Sequence, residues 1–437
     1  MIDPGSLAAA LADHLPRQRW FDGGERPSEL RSVSQEVIGE GWPALVHVIA
    51  ETGSGRWQLL LALRPAGQWP AALEGKPEAV VGELDTERGR ALVYDALIDA
   101  DLGLSVLARV APDVSAERAR PLLGVEQSNS SVIYDEAVIL KLYRRLLDGP
   151  NPDAEVTRAL ADAGFENVAE PLGQWRMDGM DLAVVNRFLS NGTDGFHLAL
   201  TSLRDLYGAR VEPEEAGGDF APDARRLGII TAHMHLAMAS AFGTGPATPA
   251  AWADEAEASL EGVDLGDLDV GAVRRAFAAL RDLDDAGTSV RIHGDYHLGQ
   301  VLRTDAGWFV LDFEGEPLRP LEVRRRPTSP LRDVAGMLRS FHYAAAVALR
   351  QWNDDGDDEV SFLADAWERH NAFAFLEGYA AAEGIDELLP NDEVARTVVR
   401  RAFELEKAVY EVRYERAHRP EWVGIPLSAV RQLVTPA

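Results

Sequence analysis

The sequence predicts an α+β protein in which a β-rich N-terminal part precedes a mostly helical C-terminal part. Strand-like runs joined by turn-rich connections dominate roughly the first 190 residues, and helical patterns prevail after residue 200 except in one β segment at about 290–314. With 437 residues, the chain exceeds what one hydrophobic core usually organises. We therefore expect three domains: an N-terminal α+β cap module (1–120), a small lobe (121–195) and a helical lobe (196–437).

The cap module is expected to contain three strands followed by one helix. Strand-like runs lie at 44–50, 57–63 and 79–81, and the stretch 86–100 is predicted to be a helix. The turn-forming segment 52–55 separates the first two strands.

The small lobe is predicted to begin with a β-hairpin. Its strands, 132–134 and 138–143, flank a turn at Asp135 and Glu136, and the apolar run 182–185 supplies a further strand.

Two helices have clear end signals. In the small lobe a helix is predicted over 152–163, where Asn151 can cap the start and Gly164 suits the end. The last long helix is predicted over 392–418, before a proline that disfavours continuation. A β-rich small unit followed by a helical large unit is the order of a two-lobed kinase.

The composition excludes several classes of protein. A formal net charge of −28 argues against nucleic-acid binding, because phosphate backbones require a basic surface. The chain has no cysteine, no long apolar run and no secretory signal pattern, so we expect a cytoplasmic protein without a membrane partner, and a monomer is favoured. Lysine occurs only at Lys76, Lys141 and Lys407, so a lysine within a motif is expected to serve a specific geometry.

The segment 292–315 carries the strongest chemical signal. Phosphoryl transfer needs a carboxylate to orient the attacking hydroxyl and oxygen ligands to hold Mg²⁺ on the phosphates of ATP. Asp295 in a loop, Gln300 five residues later, and Asp312 at the end of an apolar strand have the required order. We predict Asp295 as the catalytic base and Gln300, Asp312 and Glu314 as metal ligands.

Two other interpretations of this segment are possible. Asp295 and Asp312 could be turn residues beside a hairpin. His293 and His297 have the i, i+4 spacing of zinc ligands on a helix, but the glycines around them favour a loop, and no third ligand is evident.

A strand at 137–141 ends in one of the rare lysines. Lys141 in this position would bind phosphate oxygens and pair with a carboxylate on the next helix, for which Glu155 is the first candidate and Asp153 the second. The preceding loop lacks the usual glycines, but its backbone N–H groups and serine hydroxyls can line phosphates. The predicted nucleotide-binding residues are therefore Lys141, Glu155, Ser128, Asn129 and Ser130.

These segments resemble the aminoglycoside-phosphotransferase branch of the protein-kinase-like fold, and more specifically bacterial maltokinases and actinobacterial glucosamine kinases. The resemblance rests on the segments 17–21, 125–129, 293–300, 312–317, 329–337 and 418–422. It implies an N-terminal cap module, a nucleotide lobe, a sugar-binding helical lobe, and the use of ATP with magnesium. Tyr296, His342 and Phe21-Asp22 depart from the maltokinase pattern, which puts maltose in doubt as the acceptor.

The last helix indicates the acceptor. Three glutamates share one of its faces, aromatic residues flank them, and such a face suits sugar hydroxyls and an ammonium group. A solvated acidic face is the alternative. The predicted substrate-binding residues are Asp295, His297, Glu404, Tyr410, Glu411, Tyr414, Glu415 and Trp422.

We therefore favour phosphorylation of glucosamine to glucosamine 6-phosphate. Maltose 1-phosphate formation is the alternative. An aminoglycoside phosphotransferase or an inactive nucleotide-binding regulator ranks lower, and the regulator is expected to have lost Lys141, Asp295 or Asp312, all of which are present.

Overall fold

The computed structural model describes residues 1–21, 30, 32–122, 129–316, 319–352 and 357–435. The chain divides into two compact units, the first comprising Met1–Glu155 and Ala169–Ser190, the second Val156–Val168 and Asn191–Ala437. The predicted cap module and most of the small lobe fall in the first unit, and the predicted helical lobe falls in the second. No helix in the described ranges is long and apolar enough to cross a membrane.

The first unit contains two antiparallel sheets with the strand orders β1-β2-β3-β5-β4 and β10-β11-β8-β7-β6, and β9 pairs with β3 beside the first sheet. Its strands are β1 (Ser32–Gly39), β2 (Ala44–Thr52), β3 (Gly55–Pro65), β4 (Val80–Thr86), β5 (Gly89–Asp95), β6 (Ala119–Leu122), β7 (Asn129–Tyr134), β8 (Val138–Tyr143), β9 (Arg145–Leu146), β10 (Pro171–Met177) and β11 (Met180–Arg187). Its helices are α1 (Pro4–His14) and α2 (Ala100–Val110), and the boundary between the units falls within α3 (Pro152–Asp162).

The sheet of the cap is buried on both faces. Along β3, Leu59 and Leu61 pack into a cluster with the apolar residues of α1, whereas Leu60 and Ala62 pack into a second cluster with α2, β7 and β8. The side chains of a strand point alternately to the two faces of its sheet, so this division follows from strand geometry. The cap sheet therefore lies between α1 and the sheet of the small lobe.

The predicted helix over 86–100 is wrong. Residues 89–95 form β5, and the helix α2 begins only at Ala100. The apolar run from Ala91 to Tyr94 is fully buried because each face of the sheet is covered, so the sequence shows no polar alternation to identify a strand.

The predicted hairpin and the helix after it are confirmed. β7 pairs with β8 in an antiparallel register, and both turn residues, Asp135 and Glu136, have positive φ angles of 50° and 52°. At the start of α3, the side chain of Asn151 accepts a hydrogen bond from the backbone N–H of Asp153 at 2.8 Å. Gly164 has φ +81° just after this helix, as the predicted stop requires.

The second unit is mostly helical, with a small sheet of order β12-β15-β16 and a two-stranded sheet β13-β14. Its helices are α4 (Gly195–Ala209), α5 (Ala221–Phe242), α6 (Pro249–Ser259), α7 (Val270–Ala278), α8 (Leu321–Arg324), α9 (Leu331–Gln351), α10 (Asp358–Ala380), α11 (Glu393–His418) and α12 (Gly424–Val434). Its strands are β12 (Thr193–Asp194), β13 (Thr244–Pro246), β14 (Thr288–Val290), β15 (Val301–Thr304) and β16 (Gly307–Val310). The predicted last helix is confirmed as α11, for which Asp392 is the N-cap.

Candidate active site

The loop between β14 and β15 carries Asp295, and the hairpin of β15 and β16 brings the next predicted residues together. Gln300, at the entry to β15, donates a hydrogen bond from its side-chain amide to Asp312 Oδ2 at 3.4 Å. The backbone N–H of Leu311 donates to the Gln300 carbonyl oxygen at 2.9 Å. Asp312 has a positive φ of 60°, which is uncommon for a residue other than glycine. The spacing of Gln300 and Asp312 thus reflects a real juxtaposition of an amide and a carboxylate.

His293 connects this pair to the loop of Asp295. Its Nε2 donates to the Leu311 carbonyl oxygen at 2.9 Å, so its Nδ1 accepts from the backbone N–H of Asp295 at 3.3 Å. The Nδ1 of His297 accepts a hydrogen bond from the backbone N–H of Gly299 at 3.0 Å. Within the described ranges no three His, Cys, Asp or Glu side chains form a metal-binding group. The described residues therefore offer no group of ligands that supports the zinc interpretation of these histidines.

Asp333, near the start of α9, binds the backbone of the loop that carries Asp295. Its buried carboxylate accepts from the backbone N–H groups of His293 at 2.8 Å and Gly294 at 2.9 Å, and it contacts His235 Nε2 at 3.1 Å. Burial alone would raise the pKa of Asp333, but the hydrogen bond and charge of His235 outweigh it and hold the pKa below 3.8. Asp333 lies in the segment 329–337 that carries the family resemblance, but no role is predicted for it from the sequence. A single aspartate near the start of a helix is common, so its sequence position does not indicate that it binds a remote loop.

Lys407 of α11 forms an ion pair with the predicted base. Its Nζ lies 3.0 Å from Asp295 Oδ1 and 2.6 Å from Glu316 Oε1, and the three side chains are between 6% and 21% exposed. Burial opposes ionisation of Asp295, but the Lys407 ammonium, helped by His297, holds the pKa of Asp295 below 3.8. Burial would lower the pKa of Lys407, yet Asp295 and Glu316 raise it above its usual value of 10.5. Both partners therefore stay charged at neutral pH.

This ion pair continues into a chain of buried and partly buried charges. Glu316 pairs with Arg319 at 2.5 Å, and Glu406 pairs with Arg319 at 2.9 Å and with Arg332 at 3.0 Å. Together with Asp295 and Lys407, these residues alternate three carboxylates with three cations. None of Glu316, Arg319, Glu406 or Arg332 was among the predicted site residues.

His297 stands on the other side of the base. Its Nε2 lies 3.9 Å from Asp295 Oδ2, and the imidazole is about one-third exposed. Burial lowers the pKa of His297 below 6.5, although the charge of Asp295 partly opposes this. His297 therefore lies beside the carboxylate oxygen that Lys407 does not contact.

The predicted acidic face of α11 is occupied by basic and hydroxyl groups. Glu404 is buried beside Arg400, and burial raises its pKa above 4.5 despite that arginine. Glu411 accepts from Arg339 at 2.6 Å, and Glu415 is bound by Arg419 and the Tyr343 hydroxyl. The alternative of a simple solvated face does not describe these carboxylates, because all three are largely buried.

The flanking aromatic residues have distinct surroundings. The Tyr410 ring lies 4.9 Å from Lys407 Nζ, in a cation–π contact beside the Asp295–Lys407 ion pair. Trp422 stacks on Tyr343 with ring centroids 6.1 Å apart, and Tyr414 stacks on His418 at 4.4 Å. Of the three predicted aromatics, Tyr410 is the one that contacts the Asp295–Lys407 pair.

Two of the departures from the maltokinase pattern serve packing in the second unit. Tyr296 is buried, and its hydroxyl accepts from Thr231 Oγ1 at 2.9 Å. His342 contacts Glu368 at 2.9 Å and is also buried. These two residues therefore give no direct information about the acceptor.

The predicted nucleotide residues lie in the first unit. Lys141 Nζ donates to Asp153 Oδ2 at 3.2 Å, so the second candidate partner forms an ion pair with it, and Glu155 lies on the same helix. Asn129 and Ser130 begin β7, and Ser130 Oγ accepts from Arg144 Nε at 2.8 Å. Ser128 lies outside the described residues.

Comparison with known proteins identifies relatives along most of the chain. The family model of the maltokinase N-terminal cap domain matches residues 14–99, and that of the phosphotransferase enzyme family matches residues 119–373. A glucosamine kinase of Streptacidiphilus jiangxiensis is 32% identical over 425 residues, which cover 92% of this chain and 90% of that protein. A glucosamine kinase of Mycolicibacterium smegmatis is 30% identical over 336 residues, which cover 73% of this chain and 80% of that protein.

A solved structure of a glucosamine kinase in complex with glucosamine, ADP and inorganic phosphate has a TM-score of 0.70 to this chain. The two share 22% sequence identity, and the match covers 100% of each chain. Together with the family matches, this similarity confirms the predicted fold class: an α+β aminoglycoside-phosphotransferase fold with an N-terminal cap.

Proposed function

Because the chain belongs to the phosphotransferase enzyme family, we propose that it is a glucosamine kinase, which transfers the γ-phosphate of ATP to the 6-hydroxyl of glucosamine. The observation that carries the proposal is Asp295 itself. It is a carboxylate kept ionised by Lys407 at 3.0 Å, in a loop whose backbone is fixed by Asp333. The similarity to two glucosamine kinases, one along 92% of this chain, supports glucosamine as the acceptor.

In the proposed reaction, Asp295 orients the sugar hydroxyl and accepts its proton. Lys407 contacts Oδ1, so Oδ2 is the oxygen that would bind the acceptor hydroxyl. As the hydroxyl oxygen forms its bond to the γ-phosphorus, the bond to the β–γ bridging oxygen breaks and ADP leaves. The low pKa of Asp295 suits a reaction with a loose transition state, in which positioning of the nucleophile matters more than strong basicity.

The side chains at the end of β16 fit magnesium. Mg²⁺ is bound in such enzymes by one or two protein oxygen ligands together with substrate phosphates, rather than by a full protein cage. Asp312 and the amide of Gln300 provide neighbouring oxygen donors, with Glu314 two residues further on. Bound magnesium would neutralise charge on the phosphates. Lys141, held by Asp153, would bind phosphate oxygens in the first unit.

Recognition of the amine is proposed for the α11 residues near the base. Glu411 lies one turn from Lys407 on the same helix and contributes to the elevated pKa of Lys407. Tyr410 supplies an aromatic face at the same place. A carboxylate beside an aromatic ring is suited to an ammonium group of the substrate.

A maltokinase is the second candidate, because the cap matches the maltokinase cap model. An ATP-consumption assay with magnesium should be run against glucosamine, N-acetylglucosamine, glucose, maltose and kanamycin. We expect the highest kcat/KM with glucosamine, and ³¹P–¹H correlation spectra of the product should place the phosphate on the 6-hydroxyl. Preference for maltose with phosphate at the anomeric carbon would establish the second candidate instead.

Asp295→Asn provides the matched inactive variant. It retains size and hydrogen-bonding capacity but cannot accept the proton, so kcat should fall by about 10²–10⁴-fold while ATP binding persists. Near-normal turnover by Asp295→Asn would contradict the assignment of the base.

A further inference from the structure

Glu316 is a buried carboxylate that shares Lys407 with the predicted base. Its side chain is 6% exposed, and its Oε1 lies 2.6 Å from Lys407 Nζ, closer than the 3.0 Å between Nζ and Asp295 Oδ1. Burying a carboxylate is costly unless it is paired and hydrogen-bonded. Lys407 therefore neutralises two acidic groups at once, and Glu316 is the nearer of them.

Two glycines bring the loops of Asp295 and Glu316 together. Gly294 and Gly315, which immediately precede these residues, have positive φ angles of 84° and 74°. Such angles favour glycine over residues with a Cβ atom. A Cβ atom at position 294 would lie 3.6 Å from the Cα of Gly315, so the two backbones are in direct contact. The placement of Glu316 next to the base therefore follows from the packing of the two loops.

A ring of ion pairs fixes the direction of the Glu316 carboxylate. Its second oxygen, Oε2, accepts from Arg319 Nε at 2.5 Å, and Arg319 Nη2 donates to Glu406 Oε1 at 2.9 Å. Glu406 directly precedes Lys407 on α11, so the contacts return to the same helix. Glu406 is also paired with Arg332 of α9 at 3.0 Å. Both oxygens of Glu316 are thus bound, and the carboxylate holds Lys407 at one defined point.

The point at which Lys407 is held matters for Asp295. The ammonium of a lysine has three donors, so with one carboxylate as its partner it could contact both oxygens of that group. Here Glu316 takes a donor, and Lys407 contacts Asp295 at Oδ1. The other oxygen, Oδ2, lies 3.9 Å from His297 Nε2. The contact with Glu316 therefore draws Lys407 away from the oxygen that is proposed to bind the acceptor.

We propose that Glu316 is a positioning residue of the kinase reaction, which holds Lys407 on Oδ1 of Asp295 and so keeps Oδ2 open for the acceptor hydroxyl. This inference rests on the proposed function, in which Oδ2 binds that hydroxyl. Glu316 acts through Lys407 and does not itself contact the substrate. Its loss should impair the use of Asp295 as a base without removing the positive charge that keeps Asp295 ionised.

Glu316→Gln tests this role through the pH dependence of kcat. Glutamine keeps the size of the side chain but removes its charge, so Lys407 should move onto both oxygens of Asp295 and compete with the sugar hydroxyl. The plateau kcat for glucosamine should fall by about tenfold, the equivalent of one charge-assisted hydrogen bond, with little change in KM for ATP. The acid limb should not move to higher pH, because Lys407 still faces Asp295 and a negative charge has been removed.

Two further variants complete the comparison. Glu322→Gln makes the same change at an exposed glutamate of α8 and should leave kcat unchanged. Glu316→Asp keeps the charge but shortens the side chain by one methylene, so kcat should fall by a smaller factor, and it serves as the test if Glu316→Gln does not fold. A purely structural role would lower Tm but leave the plateau kcat of the folded variant intact. Full plateau kcat in Glu316→Gln, or in Glu316→Asp if only that variant folds, would overturn the proposal, as would an acid limb displaced to higher pH in Glu316→Gln.

Nuclear magnetic resonance provides a measurement that does not depend on turnover. The lysines of the chain are Lys76, Lys141 and Lys407, so protein labelled with ¹³Cε-lysine gives three signals, and the one missing from Lys407→Met belongs to Lys407. Glu316→Gln should shift the Lys407 signal and leave the other two in place. An unchanged Lys407 signal would overturn the proposal whatever the activity. If that signal shifts but the wild-type protein phosphorylates no sugar, the proposed function fails while the contact between Glu316 and Lys407 stands.

Discussion

Replacing Lys407 by methionine tests whether this residue controls the ionisation of Asp295. The substitution removes the ammonium and keeps an unbranched side chain of similar length. Lys407 Nζ lies 3.0 Å from Asp295 Oδ1, and both side chains are about one-fifth exposed. At this separation, the Coulomb attraction is about 1.4 kcal/mol in a water-like medium and about 5.5 kcal/mol at an effective dielectric constant of 20.

These limits translate into a shift of the pKa of Asp295. One pKa unit corresponds to about 1.36 kcal/mol, so loss of Lys407 should raise the pKa of Asp295 by about 1 to 4 units. In the wild-type protein Lys407 holds the pKa of Asp295 below the ordinary value of an aspartate, so we expect Asp295 to stay ionised in the pH range of the assay. In Lys407→Met, protonation of the base should enter that range.

The assay is the pH dependence of kcat/KM for glucosamine between pH 4 and pH 9, with the fold checked by circular dichroism at each pH. Lys407→Met should lose activity on the acid side at a pH at least about 1 unit higher than the wild type does. Lys407→Arg keeps the positive charge and should keep the wild-type acid limb. An unchanged acid limb in Lys407→Met would refute the assignment of Lys407 as the group that sets the pKa of Asp295.

The same substitution has a consequence for stability. A carboxylate whose pKa is depressed in the folded state stabilises the fold above its unfolded pKa, and this contribution is lost as pH falls through the folded pKa. The depressed pKa of Asp295 therefore contributes stability above about pH 3.8. Lys407→Met should lower Tm at pH 7, and the decline of its Tm should begin at a higher pH than in the wild type.

Three further substitutions test other parts of the site. Asp312→Ala should lower kcat by about 10²-fold or more and remove the dependence of the residual rate on magnesium concentration; retained magnesium dependence would contradict its role as a ligand. Glu411→Gln should raise KM for glucosamine more than KM for glucose, whereas equal changes for the two sugars would exclude amine recognition by Glu411. Asp333→Asn should destabilise the fold by about 1–3 kcal/mol, measured by denaturant unfolding, and should lower kcat with little change in KM for ATP. Full kcat in Asp333→Asn would show that its hydrogen bonds do not position the loop of Asp295.

The sequence was sufficient to predict a helix or strand where the turn or cap residues at its ends agreed with its hydrophobic pattern. The hairpin around Asp135 and Glu136, the capped helix α3 and the last helix α11 all had turn or cap residues at their ends, and the structure confirms them. The failure at 86–100 has a physical cause. The strand β5 is apolar on both faces because each face of the cap sheet packs into its own apolar cluster. A short apolar run of this kind can be either strand or helix.

In the candidate active site, likewise, residues close in sequence could be predicted and residues remote in sequence could not. Asp295, Gln300 and Asp312 lie within one short stretch, so their spacing could be recognised from the chain alone. The residues that control Asp295 are remote in sequence: Lys407 is 112 residues away, and Asp333 is 40 residues from His293, whose backbone it binds. Their contacts depend on how α9 and α11 pack against the loop, and no local pattern encodes that packing.

The lysine at position 407 has a geometric reason in a chain that otherwise uses arginine almost throughout. The guanidinium of an arginine tends to bind both oxygens of a carboxylate, whereas the ammonium of a lysine acts as a point charge and can hold one oxygen. Lys407 contacts Asp295 Oδ1 and turns its remaining donors to Glu316, which leaves Oδ2 for the acceptor hydroxyl. The partly buried arginines Arg319 and Arg332, by contrast, bind carboxylates that have no predicted chemical role.

This difference gives Lys407→Arg a second expected result. The charge is retained, so the acid limb of the pH profile should stay in place, but a guanidinium that engages Oδ2 competes with the sugar hydroxyl. The plateau value of kcat should therefore fall by about tenfold or more, the equivalent of one competing charge-assisted hydrogen bond. If Lys407→Arg retained the full plateau rate, then the positive charge alone would explain why a lysine stands at position 407. The proposal that Oδ1 binds Lys407 while Oδ2 binds the acceptor hydroxyl would then be wrong.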